Sequence, residues 1–275
     1  MLTMSSILAY EFMKRAFIAS VLVGGICSLI GVFVILRGLS FMGAGIAHAS
    51  FAGATLGMLL NLPPFPFSLV FALLGALFVG WAEKRGELRS DIPVGIVFSS
   101  TMALAILFAG LMRRYDPRIL GYLFGSVLSV SWSDVIFLLV TGFLVIAFIS
   151  LFYKEIVFAI FDREYADISR MKPDLFLHLL LIAIALVIAG SLKTVGVILV
   201  FAEIVTPAAA AYELTHSMKA LILLSVTFGI LSSVLGLLIS LFFDIPSGAS
   251  IVLVVTFIFF LSLIFSPKRR RLKEV

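Results

Sequence analysis

"DVIFLLVTGFLVIAFISLFY", Asp134 to Tyr153, is twenty residues long and charged only at its first position. A helix of that length rises about 30 Å, the thickness of the hydrocarbon core of a bilayer. Nothing in a soluble core asks for so long an uninterrupted apolar run, so the stretch reads as a transmembrane helix. Working outward, similar runs recur at about 16–36, 44–60, 65–82, 92–112, 175–192, 194–212, 218–242 and 246–266. Hydrophobic residues make up 62% of the 275-residue chain and charged residues 13%. A soluble domain carries about half and about a quarter. The runs are too long for the short alternating strands of a membrane barrel. The expected fold is therefore an all-α, polytopic membrane protein of about eight or nine transmembrane helices, forming one transmembrane domain over residues 1–275 with no separate soluble domain.

Several classes drop out at this stage. The single cysteine, Cys27, excludes an internal disulfide and a cysteine-rich metal site. The net charge of +5 is no nucleic-acid signal, because the basic residues lie in loops and in the C-terminal tail. "MLTMSSILAYEFMKRAF" lacks the basic start and cleavage site of a signal peptide. No G-x-x-x-x-G-K-[ST] occurs, so the chain does not bind ATP by that route. With nine spans and the tail "PKRRRLKEV" in the cytoplasm, fourteen Lys and Arg residues face inward and six outward. The positive-inside rule thus places the C-terminus inside and the N-terminus outside.

Two stretches interrupt the pattern. "DPRILGYLFGSVLSVS" (116–131) is too broken to span and reads as a short helix dipping partly into the protein. "KEIVFAIFDREYADISRMKPD" (154–174) is the longest polar interruption. In it Asp162 can cap a short helix whose first turns hold Glu164 and Asp167. Tyr165, Ile168 and Met171 form one apolar stripe, Arg163 and Arg170 fall elsewhere around it, and Pro173 ends it. Such an amphipathic helix lies on lipid or docks into a groove of a soluble partner. Its mixed charge is unlike a polybasic lipid anchor and favours the partner.

Two ionisable residues fall inside spans. In "RGLSFMGAGIAHASFAGATLG" (37–57), Gly45, Ala49, Gly53 and Gly57 recur every fourth residue, a small-residue stripe that lets another helix approach closely. His48 stands on a neighbouring face with Gly45, Ala52 and Thr55, which leaves room beside the ring. In "VGVILVFAEIVTPAAAAYEL" (195–214), Glu203 is the one acid well inside a span, while Asp134 and Asp244 fall at span ends. An intramembrane carboxylate needs a partner. Pro207 frees a backbone carbonyl in the turn before it, and broken helices are where transporters place ion sites. An imidazole with a carboxylate suits zinc or manganese. A plain hydrogen bond between the two would also explain both, and for His48 alone so would one to a neighbouring carbonyl. His178 and His216 read as interfacial or solvated.

Taken in order, these stretches resemble the membrane permease subunits of the zinc/manganese/iron importers of the ATP-binding-cassette class. "RGLSFMGAGIAHASFAGATLG" resembles that family's arginine, small-residue, His-Ala hallmark, "YLFGSVLSVSWSD" (122–134) its Leu-Phe-Gly motif, "FDREYADISR" (161–170) its ATPase-contacting loop, and "VGVILVFAEIVTPAAAAYEL" its Val-Gly…Pro-Ala-Ala segment. The resemblance covers roughly residues 10–266. It implies a compact relative of the vitamin-B12-type (type II) importers, a homodimer in the cell membrane, and no enzymatic activity of its own. It also implies a separate cytoplasmic ATPase engaged through Asp162, Arg163, Glu164, Tyr165, Asp167 and Ile168, an extracytoplasmic metal-binding protein, and transported Zn2+ or Mn2+ with no resident cofactor. Many members carry an Asp four residues before the hallmark His; here that residue is Ala44, and Glu203 stands where an aliphatic residue is usual. Glu203 is thereby expected to supply the missing carboxylate beside His48. The competing function is a stand-alone ion-coupled secondary transporter with a Glu/His relay, which calls for internal repeats, and none is evident. An intramembrane enzyme lacks a nucleophile–base pair or a His-Glu-x-x-His site.

Overall fold

The computed structural model describes residues 10–84, 91–112, 116–125, 130–169 and 171–268. Among them the regular structure is helical throughout: α1 (Glu11–Leu36), α2 (Met42–Leu59), α3 (Pro64–Lys84), α4 (Asp91–Leu111), α5 (Arg118–Phe124), α6 (Trp132–Leu151), α7 (Tyr153–Phe161), α8 (Arg163–Ile168), α9 (Pro173–Val195), α10 (Val197–Leu214), α11 (Met218–Phe243) and α12 (Ser247–Ile264). Eight of these, α1, α3, α4, α6 and α9–α12, are long and apolar enough to cross a membrane.

The run at 44–60 is helical, as α2, but falls outside those eight. The reason lies in its burial: all but three of its 18 residues are shielded from the surroundings. A helix walled by protein need not satisfy lipid, so Gly, Ala, Ser and Thr replace Leu and Phe. By contrast α4 and α6 leave Ile106, Leu107, Phe143 and Leu144 exposed, as a lipid-facing surface requires. Hydroxyls inside the helices bond back to their own carbonyls, Thr101 Oγ1 to Val97 at 2.6 Å and Thr55 Oγ1 to Ala52 at 2.8 Å, which satisfies them where water is absent.

The chain divides into two compact units. One comprises Leu36–Ile119 and Val140–Gly190. Its centre is α2, against which α3 and α4 pack. The small-residue stripe does what its spacing predicts: a Cβ on Gly53 would overlap the backbone of Phe67, one on Gly57 would stand 2.9 Å from Pro64 Cα, and one on Gly45 would stand 3.2 Å from Val94. A Ser50–Ser68 hydrogen bond of 2.6 Å joins α2 to α3. The other unit comprises Met1–Ile35, Leu120–Leu139 and Ser191–Val275. Here α10, α11 and α12 pack together, and α1 lies close to α11. A Cβ on Gly24 would overlap the Gly229 carbonyl, and one on Gly31 the Ile204 carbonyl. Ser225 Oγ donates to the Ser28 carbonyl at 2.8 Å.

Two expectations about the 154–174 interruption change. Its first half is itself a helix, α7, with Ile156 and Ala159 buried. Pro173 does not end the following helix but opens α9, a position its missing N–H suits. The short helix α8 stops at Ile168, where the Met171 amide folds back to the Ala166 carbonyl at 2.9 Å.

Candidate functional site

His48 lies in α2, and its ring packs edge-on against Phe98 of α4, centroids 4.4 Å apart and planes at 72°. Ala52 and Thr55, the small residues on its face, are wholly buried. Nδ1 is shut off from the surroundings and has no hydrogen-bond partner among the described residues. A buried imidazole nitrogen left with a free donor or lone pair is uncommon. Ala44, one turn before His48 on α2, is buried.

Glu203 lies in α10 of the other unit and is 0% exposed. Ser232 Oγ on α11 stands 3.2 Å from Oε1 and 3.0 Å from the Gly229 carbonyl oxygen. Oε2 has no hydrogen-bond partner among the described residues. Pro207, inside the helix, has no N–H for the Glu203 main-chain carbonyl. Close by, Cys27 Sγ on α1 meets Ser191 Oγ at 3.6 Å, so the thiol is a buried packing group. No cluster of three or more His, Cys, Asp or Glu occurs among the described residues.

The polar loop supplies a second surface. Asp162 Oδ1 accepts from the Tyr165 amide at 3.0 Å, the cap expected of it. Tyr165 stacks on Phe158 of α7 at 4.9 Å between centroids, yet stays 48% exposed, and Ile168 is 82% exposed. The stripe therefore has an open apolar end. The side chains of Arg163, Glu164 and Asp167, and the whole of Arg170, lie outside the described residues.

Sequence reasoning missed the convergence of three glycine-bearing segments. Gly125 of the Leu-Phe-Gly motif and Gly196 of the Val-Gly motif both have left-handed backbone, φ +73° and +85°. A Cβ on either would overlap the other segment's backbone, and one on Gly248 would stand 2.7 Å from the Phe124 carbonyl. The remaining residues of the motif, 126–129, lie outside the described residues. Nearby Asp134 Oδ2 accepts from Lys193 Nζ at 2.7 Å, from Ser131 Oγ at 2.5 Å and from the Ser131 amide at 2.9 Å. The Ser131 amide bond, together with the Asp134 amide donating to Ser131 Oγ at 3.4 Å, makes a capping box at the start of α6. His178 bonds the Asp174 carbonyl at 2.6 Å and His216 is exposed.

Comparison with known proteins places these features in one frame. The model of the ABC 3 transport family matches residues 9–266. The chain is 36% identical over 269 residues to the manganese transport system membrane protein MntC of Listeria monocytogenes, covering 98% of this chain and 96% of that protein. It is 36% identical over 265 residues to the manganese import system permease protein ScaB of Streptococcus gordonii, covering 96% and 95%. Among solved structures, PsaBC from Streptococcus pneumoniae in complex with Fab matches with a TM-score of 0.87 at 34% identity, over 98% of this chain and 97% of that one.

Proposed function

The chain belongs to the ABC 3 transport family, and from that membership we propose that it is the transmembrane permease subunit of an ATP-driven importer of divalent transition-metal ions, with manganese the principal cargo and zinc an alternative. The observation that carries this reading is the match to MntC and ScaB over 98% and 96% of this chain and 96% and 95% of those proteins. All of residues 1–275 serve as one permease domain in the cell membrane, with the C-terminus in the cytoplasm. The chain performs no chemistry of its own; a cytoplasmic ATPase supplies the energy, and an extracytoplasmic binding protein delivers the ion. Two copies of the chain form the pathway.

Within it, His48 and Glu203 are the path-lining groups. Each is an intramembrane ionisable residue with one atom left unpaired, a state tolerated where a passing ion uses it. Transient ligation by few groups also suits transport, because conduction requires release. The ATPase contact is α8, with Asp162 fixing its start, Tyr165 and Ile168 forming the apolar contact, and Arg163, Glu164 and Asp167 the polar one.

Reconstitution into proteoliposomes with the cognate ATPase and binding protein tests the reading. Manganese uptake that requires all three components and ATP is expected. Uptake by the permease alone, driven by a proton or sodium gradient, would instead establish the stand-alone secondary transporter.

A further inference from the structure

We propose that the end of α12 and the basic segment that follows it form a binding site for the headgroups of acidic phospholipids, of the phosphatidylglycerol kind. The site requires that α12 crosses the bilayer. It requires neither the ion path nor a particular sidedness.

Leu253, Phe257, Phe260 and Ile264 recur at steps of four, three and four, so they share one face of α12. Each is more than half exposed, as is Phe265 just past the helix. Acyl chains are the solvent that suits an open apolar stripe along a spanning helix.

At the end of that stripe the chain is pinned to α10. Ser266 Oγ lies 3.0 Å from the Glu213 carbonyl oxygen and 2.9 Å from its carboxylate Oε2. Lys268 Nζ donates to the Tyr212 carbonyl and stands 3.5 Å from the centroid of the Tyr212 ring. A hydroxyl and a cation thus meet the last carbonyls of α10, which have no partner within their own helix. Tyr212 is itself exposed, an amphipathic ring of the kind found at headgroup level. Lys268 is therefore held where the apolar stripe stops.

The sequence continues Arg269, Arg270, Arg271, Leu272, Lys273. Covalent geometry keeps Arg271 within about 11 Å of Lys268, Cα to Cα, close to one Debye length at physiological salt. Lys219, in the first turn of α11, is exposed. Residues 212–219 and 265–275 together carry six Lys or Arg and two Glu. A cluster of one sign at the end of a span is the pattern that attracts anionic lipid. Each arginine also offers a phosphate a planar fork of donors. The loop at 154–174 is the contrast: its charges are mixed, which favours a protein partner there.

The test is native mass spectrometry of the permease with its ATPase, released from nanodiscs of phosphatidylcholine and phosphatidylglycerol in equal parts. The retained lipids of each kind are counted. The expected result is preferential retention of phosphatidylglycerol, reduced at least about tenfold in Arg269→Gln/Arg270→Gln/Arg271→Gln. Lysine at the same three positions should keep the preference, because charge carries most of the attraction. Equal retention in wild type and the Gln variant would overturn the site. Loss of the ATPase from that variant with lipid retention unchanged would overturn it too, and make the segment a protein contact. Salt tests wild type without any substitution: a preference that survives about 1 M salt, where the Debye length is about 3 Å, would also contradict the site.

Discussion

Gly125 and Gly196 cross backbone to backbone, each in the left-handed region, so that neither position has space for a side-chain carbon. These are the glycines of the Leu-Phe-Gly and Val-Gly stretches, and their role here is contact between segments far apart in the chain. A substitution incurs both the αL strain of an L-residue and overlap with main-chain atoms, which cannot rotate away. Gly196→Ala should destabilise the protein by at least about 2 kcal/mol. Thermal unfolding in detergent, followed by size-exclusion fluorescence, measures it; a midpoint equal to wild type would contradict the crossing.

The α2 stripe gives a second test. Gly53→Val should separate α2 from α3 at Phe67 and Phe71, with a loss of about 1–3 kcal/mol from overpacking. The same change at Gly95, where an added Cβ meets nothing within 4 Å, should cost no more than about 1 kcal/mol. Comparing the two variants' unfolding midpoints isolates the helix contact from the general effect of replacing glycine.

Lys193 and Asp134 are partly exposed, 37% and 20% by side chain, so their coupling is modest after solvent screening. A double-mutant cycle with Lys193→Met and Asp134→Asn should give roughly 1 kcal/mol of coupling or less. Asp134→Asn alone should cost more than Lys193→Met, because Asp134 also holds Ser131 at the start of α6. Equal single-variant losses would argue against the capping box.

Ile168 is apolar yet 82% exposed at the end of a capped helix. Ile168→Glu should leave folding within about 0.5 kcal/mol of wild type. It should abolish co-purification of the ATPase and ATP-dependent uptake together. Retained co-purification would assign α8 to the lipid surface instead.

Much of this architecture was legible in the chain. Apolar run lengths predicted every long helix, because in lipid the backbone must close its own hydrogen bonds and helices follow. The spacing of Gly45, Ala49, Gly53 and Gly57 predicted a close helix contact, and the contact is there. Asp162 predicted its own cap. Three things were not legible. Helix α7 hid in a segment whose polar residues read as loop, since Lys154 and Glu155 interrupt its apolar face. Pro173 is compatible with both a helix end and a helix start, and only the preceding turn decides between them. Glu203 is met by Ser232, 29 residues on along the chain, and a hydroxyl in an apolar run announces nothing about what it faces.

His48 remains the residue on which the transport reading turns. Its Nδ1 is enclosed and unpaired beside Phe98, so removing the imidazole should leave the helix contact at Gly53 intact while deleting the proposed ligand. The direct measurement is ATP-dependent manganese uptake by His48→Ala in proteoliposomes containing the ATPase and binding protein, at matched assembly. A loss of at least about tenfold is predicted, the scale seen when a metal site loses a supporting group. Uptake equal to wild type would mean that the ion never meets His48 and that its path runs elsewhere through the permease.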